Sequence, residues 1–465
     1  MSDFQVVNSS FRDPSGFLFY RDDILYRQIN KSYQEHYQHL MESGLYRELV
    51  DSKNLIPHEE VDVEPAIPKK SFKIIKPEKI LFISYPYEWS FSQLKEAALT
   101  TLRIQKIAMN YDMTLKDANS YNIQFHNGKA TLIDTLSFEK YTEGQFWFGY
   151  KQFCQHFLAP LALMCHKDIR LNQLLRIYID GIPLDLTSKL LPSSTRLSFS
   201  LLSHIHAHAK SQKHFEDKKM AKIKEKKLGK NSFIGIIESL NSSIKKLNWR
   251  PKGTEWADYY TDTNYSSKGF EHKKKIIESF FDKTDVNFVW DLGANTGIFS
   301  RISSNKGIPT ISFDIDPAAV EKNFLNSVEK QESKILPLLL DLTNPSASIG
   351  WENQERSSLI NRGPTDVVLA LALLHHLVIS NNLPLEKISS FFSKICNYLI
   401  IEFIPKNDSQ VKRLLQNRED IFDDYSKENF ELNFKKYFSI IDSQQIEDSE
   451  RILYIMNNIV QVNST

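Results

Sequence analysis

The run Val289-Trp-Asp-Leu-Gly-Ala-Asn-Thr-Gly-Ile-Phe-Ser300 carries an apolar strand pattern through a tight turn into a helical one. Gly293 and Gly297 let that turn adopt positive φ and let a ligand lie against bare backbone, while the first N–H groups of the following helix face the same crevice. An anionic or zwitterionic small molecule is the ligand this chemistry expects. Seventeen residues beyond Gly297, the next apolar segment ends in Asp314, where a carboxylate at a strand tip accepts both hydroxyl hydrogens of a ribose. Together the turn and the acid specify a nucleoside-containing ligand; taken separately they are an ordinary strand-to-helix turn and a solvated acid. Asp291, just before the turn, either holds the loop or binds an ammonium group. The spacing departs from the dinucleotide fingerprint G-x-G-x-x-G, since Ile298 stands in the place of its last glycine.

Further along, Leu374-His-His-Leu377 follows an apolar strand pattern at Asp366–Leu371, on the edge where open α/β sheets bind ligands. His375 or His376 is the candidate base or acceptor-positioning residue; the alternative is one histidine capping the strand end and the other packing. Glu402 lies inside the apolar run Tyr398–Ile404, so its carboxylate must be paired or face a cleft. It belongs to an acceptor pocket or to a structural ion pair. Trp256, Tyr259, Tyr260 and Tyr265 are placed to form an aromatic lid or to pack in a core.

The amino-terminal half holds a second group. Asp117 precedes Asn122 by five positions, and Asp134 follows a hairpin pattern; two acids and an amide so spaced suit Mg²⁺ and a hydroxyl nucleophile. His204, His206 and His208 share one face only on a strand. No cysteine or carboxylate pattern accompanies them, so no metal is expected.

These residues need elements to hold them. Up to about Gln212, strand patterns at Gly16–Tyr20, Ile24–Ile29 and Lys79–Ser84 alternate with helical runs at Ser90–Met109 and Phe146–Met164, which makes an α+β domain. Lys213–Lys230 carries eight lysines against three acids and reads as a solvated linker or an exposed helix rather than a functional basic patch, with the linker extending to residue 248. From Trp249 the strands Phe288–Trp290, Thr310–Phe313, Ile335–Leu340, Asp366–Leu371 and Tyr398–Ile404 alternate with helices near Lys273–Phe281, Thr296 and Leu385–Cys396, the pattern of a parallel sheet. Tyr437–Ile441 and Arg451–Met456 close the chain as a hairpin. The expected division is 1–212, 213–248 and 249–465, and a length of 465 residues accommodates it.

With 58 basic against 57 acidic residues, the net charge of +1 creates no field that draws the chain to nucleic acid. Cys154, Cys165 and Cys396 are too few for a disulfide framework, and no apolar run approaches the ~20 residues of a membrane span. The expectation is a cytoplasmic protein.

Asp291-Leu-Gly-Ala-Asn-Thr-Gly297 resembles motif I of the class I S-adenosylmethionine-dependent methyltransferases, with Asn295 at the central position of the usual glycine-rich turn. Asp314 then resembles the ribose-binding acid, Asp341 with Leu342 the residues near the adenine, and Asp366–Leu377 the fourth strand and its loop. Asp341 is equally a cap for Thr343. The resemblance, which covers roughly Trp249–Thr465, implies a Rossmann-like seven-stranded α/β sheet, mostly parallel with an antiparallel hairpin at its end. It also implies S-adenosyl-L-methionine as cofactor, bound through Asp291, Gly293, Ala294, Asn295, Thr296, Gly297, Asp314, Asp341 and Leu342. His375, His376 and Glu402 are its candidate catalytic residues. The segment from Asp117 to Asp134 is similar to the carboxyl lobe of protein-kinase-like and aminoglycoside-phosphotransferase-like folds. It lacks a preceding His-Arg, a following Phe-Gly and a glycine-rich loop, which implies a reduced, substrate-presenting domain. The two-part layout resembles bacterial nodulation-type, NoeA-like, methyltransferase-like proteins and implies a small-molecule, glycan or glycolipid acceptor. The rivals are a phosphotransferase using Asp117, Asn122 and Asp134 with Mg-ATP, and a non-catalytic nucleoside-binding regulator.

Overall fold

The short alternating segments at the amino end pair as an antiparallel sheet. In this computed structural model, which describes residues 4–208, 229–251, 266–416 and 419–460, its strands are β1 (Gln5–Val6), β2 (Gly16–Arg21), β3 (Ile24–Asn30), β4 (His58–Val61) and β5 (Ser71–Pro77), in the order β1-β2-β3-β5-β4. Asp22 and Asp23 both take positive φ between β2 and β3, the backbone that a two-residue hairpin turn requires. The strand expected at Lys79–Ser84 is absent. It lies earlier, at Ser71–Pro77, and the Ser84 N–H is held by the Gln124 side chain at 2.9 Å instead of by a neighbouring strand.

Beyond it, helix Phe91–Met109 matches its expected span and starts where the Gln93 side chain accepts the Ser90 N–H. Two small ladders follow: β6 (Met113–Leu115) with β9 (Phe138–Lys140), and β7 (Ile123–His126) with β8 (Lys129–Leu132). The helical run after Gly149 widens at Cys154–Leu158 just before Pro160, which lacks an N–H to donate to the preceding turn.

The chain divides into two units, Met1–Arg250 with Ser348–Arg356, and Pro251–Ala347 with Ser357–Thr465. The strip Ser348–Arg356 is seated in the first unit by buried Glu355, which takes a two-pronged ion pair from Arg12, and by Arg356, whose guanidinium lies 4.4 Å from the Tyr121 ring centre. Residues 213–228 of the expected linker lie outside the described residues. The remainder differs from a solvated linker: Lys230–Lys246 is a helix that buries Phe233, Ile237, Leu240 and Ile244. Their spacing of four, three and four residues makes one apolar stripe, which the lysines on either side obscured.

In the second unit the apolar segments form seven strands: β10 (Val289–Leu292), β11 (Thr310–Asp314), β12 (Ile335–Leu339), β13 (Thr365–Ala370), β14 (Cys396–Phe403), β15 (Phe438–Gln445) and β16 (Ile452–Asn458). Their order is β12-β11-β10-β13-β14-β16-β15, parallel through β14 and antiparallel at β16 and β15. This is the expected Rossmann-like sheet. Strand order reverses at β10, with β11 on one side and β13 on the other, which opens a crevice beyond the carboxyl ends of these strands. Helix Ser267–Lys283 covers one face, packing Ile276, Ile277, Phe280 and Phe281 into a core with Val289, Val367 and Leu369. The helix expected near Thr296 begins only at Ser300, because positive φ at Asn295 and Gly297 prolongs the turn. Among the described residues no helix is long and apolar enough to cross a membrane.

Leu240 is fully buried, so Leu240→Ala is expected to destabilise the first unit by about 2–5 kcal/mol. Denaturant unfolding monitored on full-length protein checks this; an unchanged midpoint would mean that the helix is a passive spacer.

Candidate active site

A cavity of about 310 Å³ lies beyond the carboxyl ends of β10, β11 and β13, lined by Asp291, Gly293, Ala294, Asn295, Asp314, Ile315 and the Leu371–Leu373 turn. Helix Ser267–Lys283 adds Phe270 and Lys273, and the segment after β13 adds His376, Ser380 and Asn381. The bend that shapes it is strongly constrained. Gly293 has φ +79° and Asn295 φ +51°; Asn tolerates the left-handed region better than most residues. The Asn295 N–H donates to Asp314 Oδ2 at 2.7 Å, while the Asp316 N–H donates to Oδ1 at 2.8 Å. A Cβ on Gly293 would approach Leu373 Cδ1 to 3.3 Å, so a side chain there intrudes between the two walls of the cavity.

Gly297 is glycine for a different reason. Its Cβ would meet Asn323 Nδ2 at 2.6 Å and Arg301 Nη1 at 2.8 Å, and neither Gly297 nor Thr296 lines the cavity. Asp341 and Leu342 stand apart from it as well. The Asp341 carboxylate accepts the Thr343 N–H at 2.8 Å and its hydroxyl at 2.7 Å, which is the capping alternative.

Of the candidate catalytic residues the structure places one at the cavity, His376. Burial pushes it down to about 4, so it is a neutral imidazole at ordinary pH. His375 packs behind it with ring centres 4.1 Å apart, buried, its Nδ1 without a hydrogen-bond partner among the described residues. Glu402 takes the second of its two alternatives, an ion pair. It is fully buried and bonds to Lys273 Nζ at 2.7 Å, and it does not line the cavity. The same Oε2 accepts the N–H of Ala372 at 2.9 Å, a non-glycine residue at φ +50°; Glu402 thus pins a strained part of the cavity wall.

Lys273, Phe270, Phe299 and Ile315 escaped the sequence reading. A signal existed for Lys273: it occupies the apolar stripe Phe270, Ile277, Phe280 of its helix. Trp256, Tyr259, Tyr260 and Tyr265 lie outside the described residues.

In the first unit Asp117 and Asp134 do come close enough to act on each other. Burial raises the Asp117 carboxyl and the charge of Asp134 adds to the effect. Burial alone would raise Asp134 too, but the Arg27 charge and the Ser137 hydroxyl bring it below its ordinary value. Asn122 donates to Ser137 Oγ at 3.3 Å. Each histidine of the 204–208 run is otherwise engaged or packed: His204 with Tyr150 and Ser239, His206 with Ser188 and Thr195, and His208 against the Tyr150 ring. Among the described residues no group of three or more His, Cys, Asp or Glu side chains is arranged to hold a metal ion.

Burial raises Asp291 to about 7 and Asp314 to about 6. A carboxyl whose folded value lies above its unfolded one contributes stability in full below the unfolded value and loses it as pH rises through the folded value. Asp291→Asn keeps an acceptor for the Ser300 hydroxyl, now 2.6 Å from Oδ2, and removes this titration. Wild type is therefore expected to lose melting temperature more steeply than Asp291→Asn from about pH 5 to about pH 8. Parallel melting curves across that range would contradict the assignment.

No protein-family model matches the chain. The nodulation protein NoeA of Rhizobium meliloti is 34% identical over 457 residues, spanning 96% of this chain and 95% of that protein. Among solved structures, the magnesium protoporphyrin IX methyltransferase of Synechocystis PCC 6803 with bound SAH is 15% identical, covering 44% of this chain and 92% of its own, with a TM-score of 0.31. The N-methyltransferase NodS of Bradyrhizobium japonicum WM9 is 11% identical, covering 42% and 98%, with a TM-score of 0.30. With one third of its residues shared along nearly the whole length of both proteins, the chain belongs to the family of the nodulation protein NoeA.

Proposed function

We propose that the second unit is an S-adenosylmethionine-dependent methyltransferase, and the observation that carries this is the cavity shared by the Gly293–Asn295 bend and the Asp314 carboxylate. Gly293, Ala294 and Asn295 present backbone to the adenosyl end, and Asp314, with two acceptor positions per oxygen, takes the ribose hydroxyls beside its two backbone partners. Ile315, more than half exposed and directly after the acid, offers an apolar edge for a base. When bound, the donor supplies a methyl group activated by its sulfonium.

The chain then has to align the acceptor and exclude water. Phe270, Phe299, Leu371 and Leu373 make the walls apolar. His376, neutral and at the cavity, accepts a proton from an acceptor that must lose one. The acceptor is a small molecule or a glycan, glycolipids included, and the first unit, kinase-like in its sequence and reduced in its chemistry, selects or presents it. The phosphotransferase rival requires Asp134 to hold a cation, but Arg27 and Ser137 engage that carboxylate.

Calorimetry with S-adenosylmethionine, S-adenosylhomocysteine and Mg-ATP tests the assignment. Micromolar binding of the first two, abolished in Gly293→Arg and Asp314→Ala, is expected; Mg-ATP binding lost in Asp134→Ala, with no sulfonium binding, sinks it. With a methyl-accepting extract, His376→Ala is expected to lower turnover by about 10²- to 10⁴-fold while leaving S-adenosylhomocysteine binding intact. Equal losses in both would make His376 a structural residue.

A further inference from the structure

At the end of the antiparallel sheet where β2 and β5 begin and β3 finishes, three segments are clamped by two buried amides. The Gln28 side chain accepts the Ile67 N–H at 2.9 Å and donates to the Ile67 carbonyl at 3.2 Å, while the Asn30 side chain donates to the Pro14 carbonyl at 3.0 Å. The Lys31 N–H donates to the Lys70 carbonyl at 2.8 Å, which sets two lysine-bearing segments side by side. These segments border a groove of about 640 Å³ in the first unit. Its lining is of two kinds. Val6, Phe11 and Ile67 are exposed and Phe17 is partly buried, so large apolar side chains face the groove without being covered. Lys31, Lys69 and Lys70, all exposed, line it as well. The one acid in the lining, Asp13, is already engaged, accepting the Ser15 N–H at 2.9 Å and facing Lys116 Nζ at 3.5 Å. Among the described residues no carboxylate pairs with the three lysines. Like charges gathered in one place repel, and an apolar cluster left in water is unfavourable. Neither feature stabilises the first unit, and one kind of ligand satisfies both.

We propose that this groove binds an anionic amphiphile of the lipid-phosphate class, with its phosphate among Lys31, Lys69 and Lys70 and its hydrocarbon against Val6, Phe11, Phe17 and Ile67. A phosphate monoester carries about −1.5 to −2 charge at neutral pH, which matches three ammonium groups better than the single charge of a carboxylate. Lysine meets phosphate as a point charge and demands no single geometry. The volume lies within the range of about 300–1,000 Å³ usual for small-molecule sites. Gln28 and Asn30 hold the bordering segments in place from within the fold, so the backbone loses little freedom on binding. The groove gives the first unit a ligand of its own and does not depend on the methyltransferase assignment of the second.

Calorimetry on the full chain with decyl phosphate, below its micelle-forming concentration, tests this against decanoate, decyltrimethylammonium and inorganic phosphate. Decyl phosphate is expected to bind once per chain and more tightly than any of the three, with an affinity that falls as salt rises. Lys69→Gln/Lys70→Gln is expected to weaken it by about 3- to 30-fold, the worth of two exposed charge contacts. Phe11→Ser is expected to weaken it by about 3- to 10-fold, from the apolar surface that the ligand no longer covers. Both variants alter exposed side chains and are expected to leave the melting temperature of the free protein unchanged. Equal binding of inorganic phosphate removes the role of the apolar lining, equal binding of decyltrimethylammonium removes that of the lysines, and equal binding of decanoate removes the phosphate class. Each of these overturns the proposal, as do wild-type affinity in either variant and the absence of saturable binding.

Discussion

The Asp314 carboxylate holds the N–H of Asn295, and the site depends on that bond. It ties the tip of β11 to a left-handed residue in the bend after β10, so the bend cannot relax into a continuous helix. The neighbouring parallel strands β10 and β11 then end at one opening, and the helix starts late, at Ser300. The cost is a carboxylate buried enough to be pushed up to about 6. Two backbone donors at hydrogen-bond distance lessen that cost.

Glu402, which holds the Ala372 N–H of the cavity wall, lies between two buried cations, Lys273 and Arg451, the second at 3.8 Å. Lys273 pairs with Glu402, and Arg451 pairs with Asp408 through two bonds of 2.8 and 3.1 Å. Breaking either pair by removing one partner leaves a charge in an apolar interior, typically a loss of about 3–5 kcal/mol. Such a network gives the walls defined positions, and defined walls are what a displacement reaction between two aligned molecules requires.

Much of the second unit was legible in its sequence. Continuous apolar runs separated by helical periods can hardly fold otherwise than as a parallel sheet, and Gly293, Asp314 and the terminal hairpin fell where the pattern put them. The partners were not legible. Glu402 is 129 positions from Lys273, and nothing in an apolar strand names the cation that will meet its acid. Asp341 shows the reverse failure: its local bonds to Thr343 satisfy it before any distant ligand can. In the first unit, the apolar stripe of Lys230–Lys246 was hidden by the lysine-rich run that precedes it in the sequence, and only the packing reveals it. Strand Ser71–Pro77 was displaced in the reading because the Lys79–Ser84 segment has strand-like composition, yet its donors are bound by a side chain.

The strip Ser348–Arg356 belongs to the first unit although the chain on both sides of it belongs to the second. Neither unit is therefore a contiguous stretch of sequence. A fragment begun after Arg250 to isolate the sheet would carry Glu355 without Arg12 and Arg356 without the Tyr121 ring, exposing a strip shaped for a host it no longer has. For this architecture, dissection at one cut point yields an orphaned insertion, and genetic exchange of either half with a relative has to move the strip together with the half that receives it.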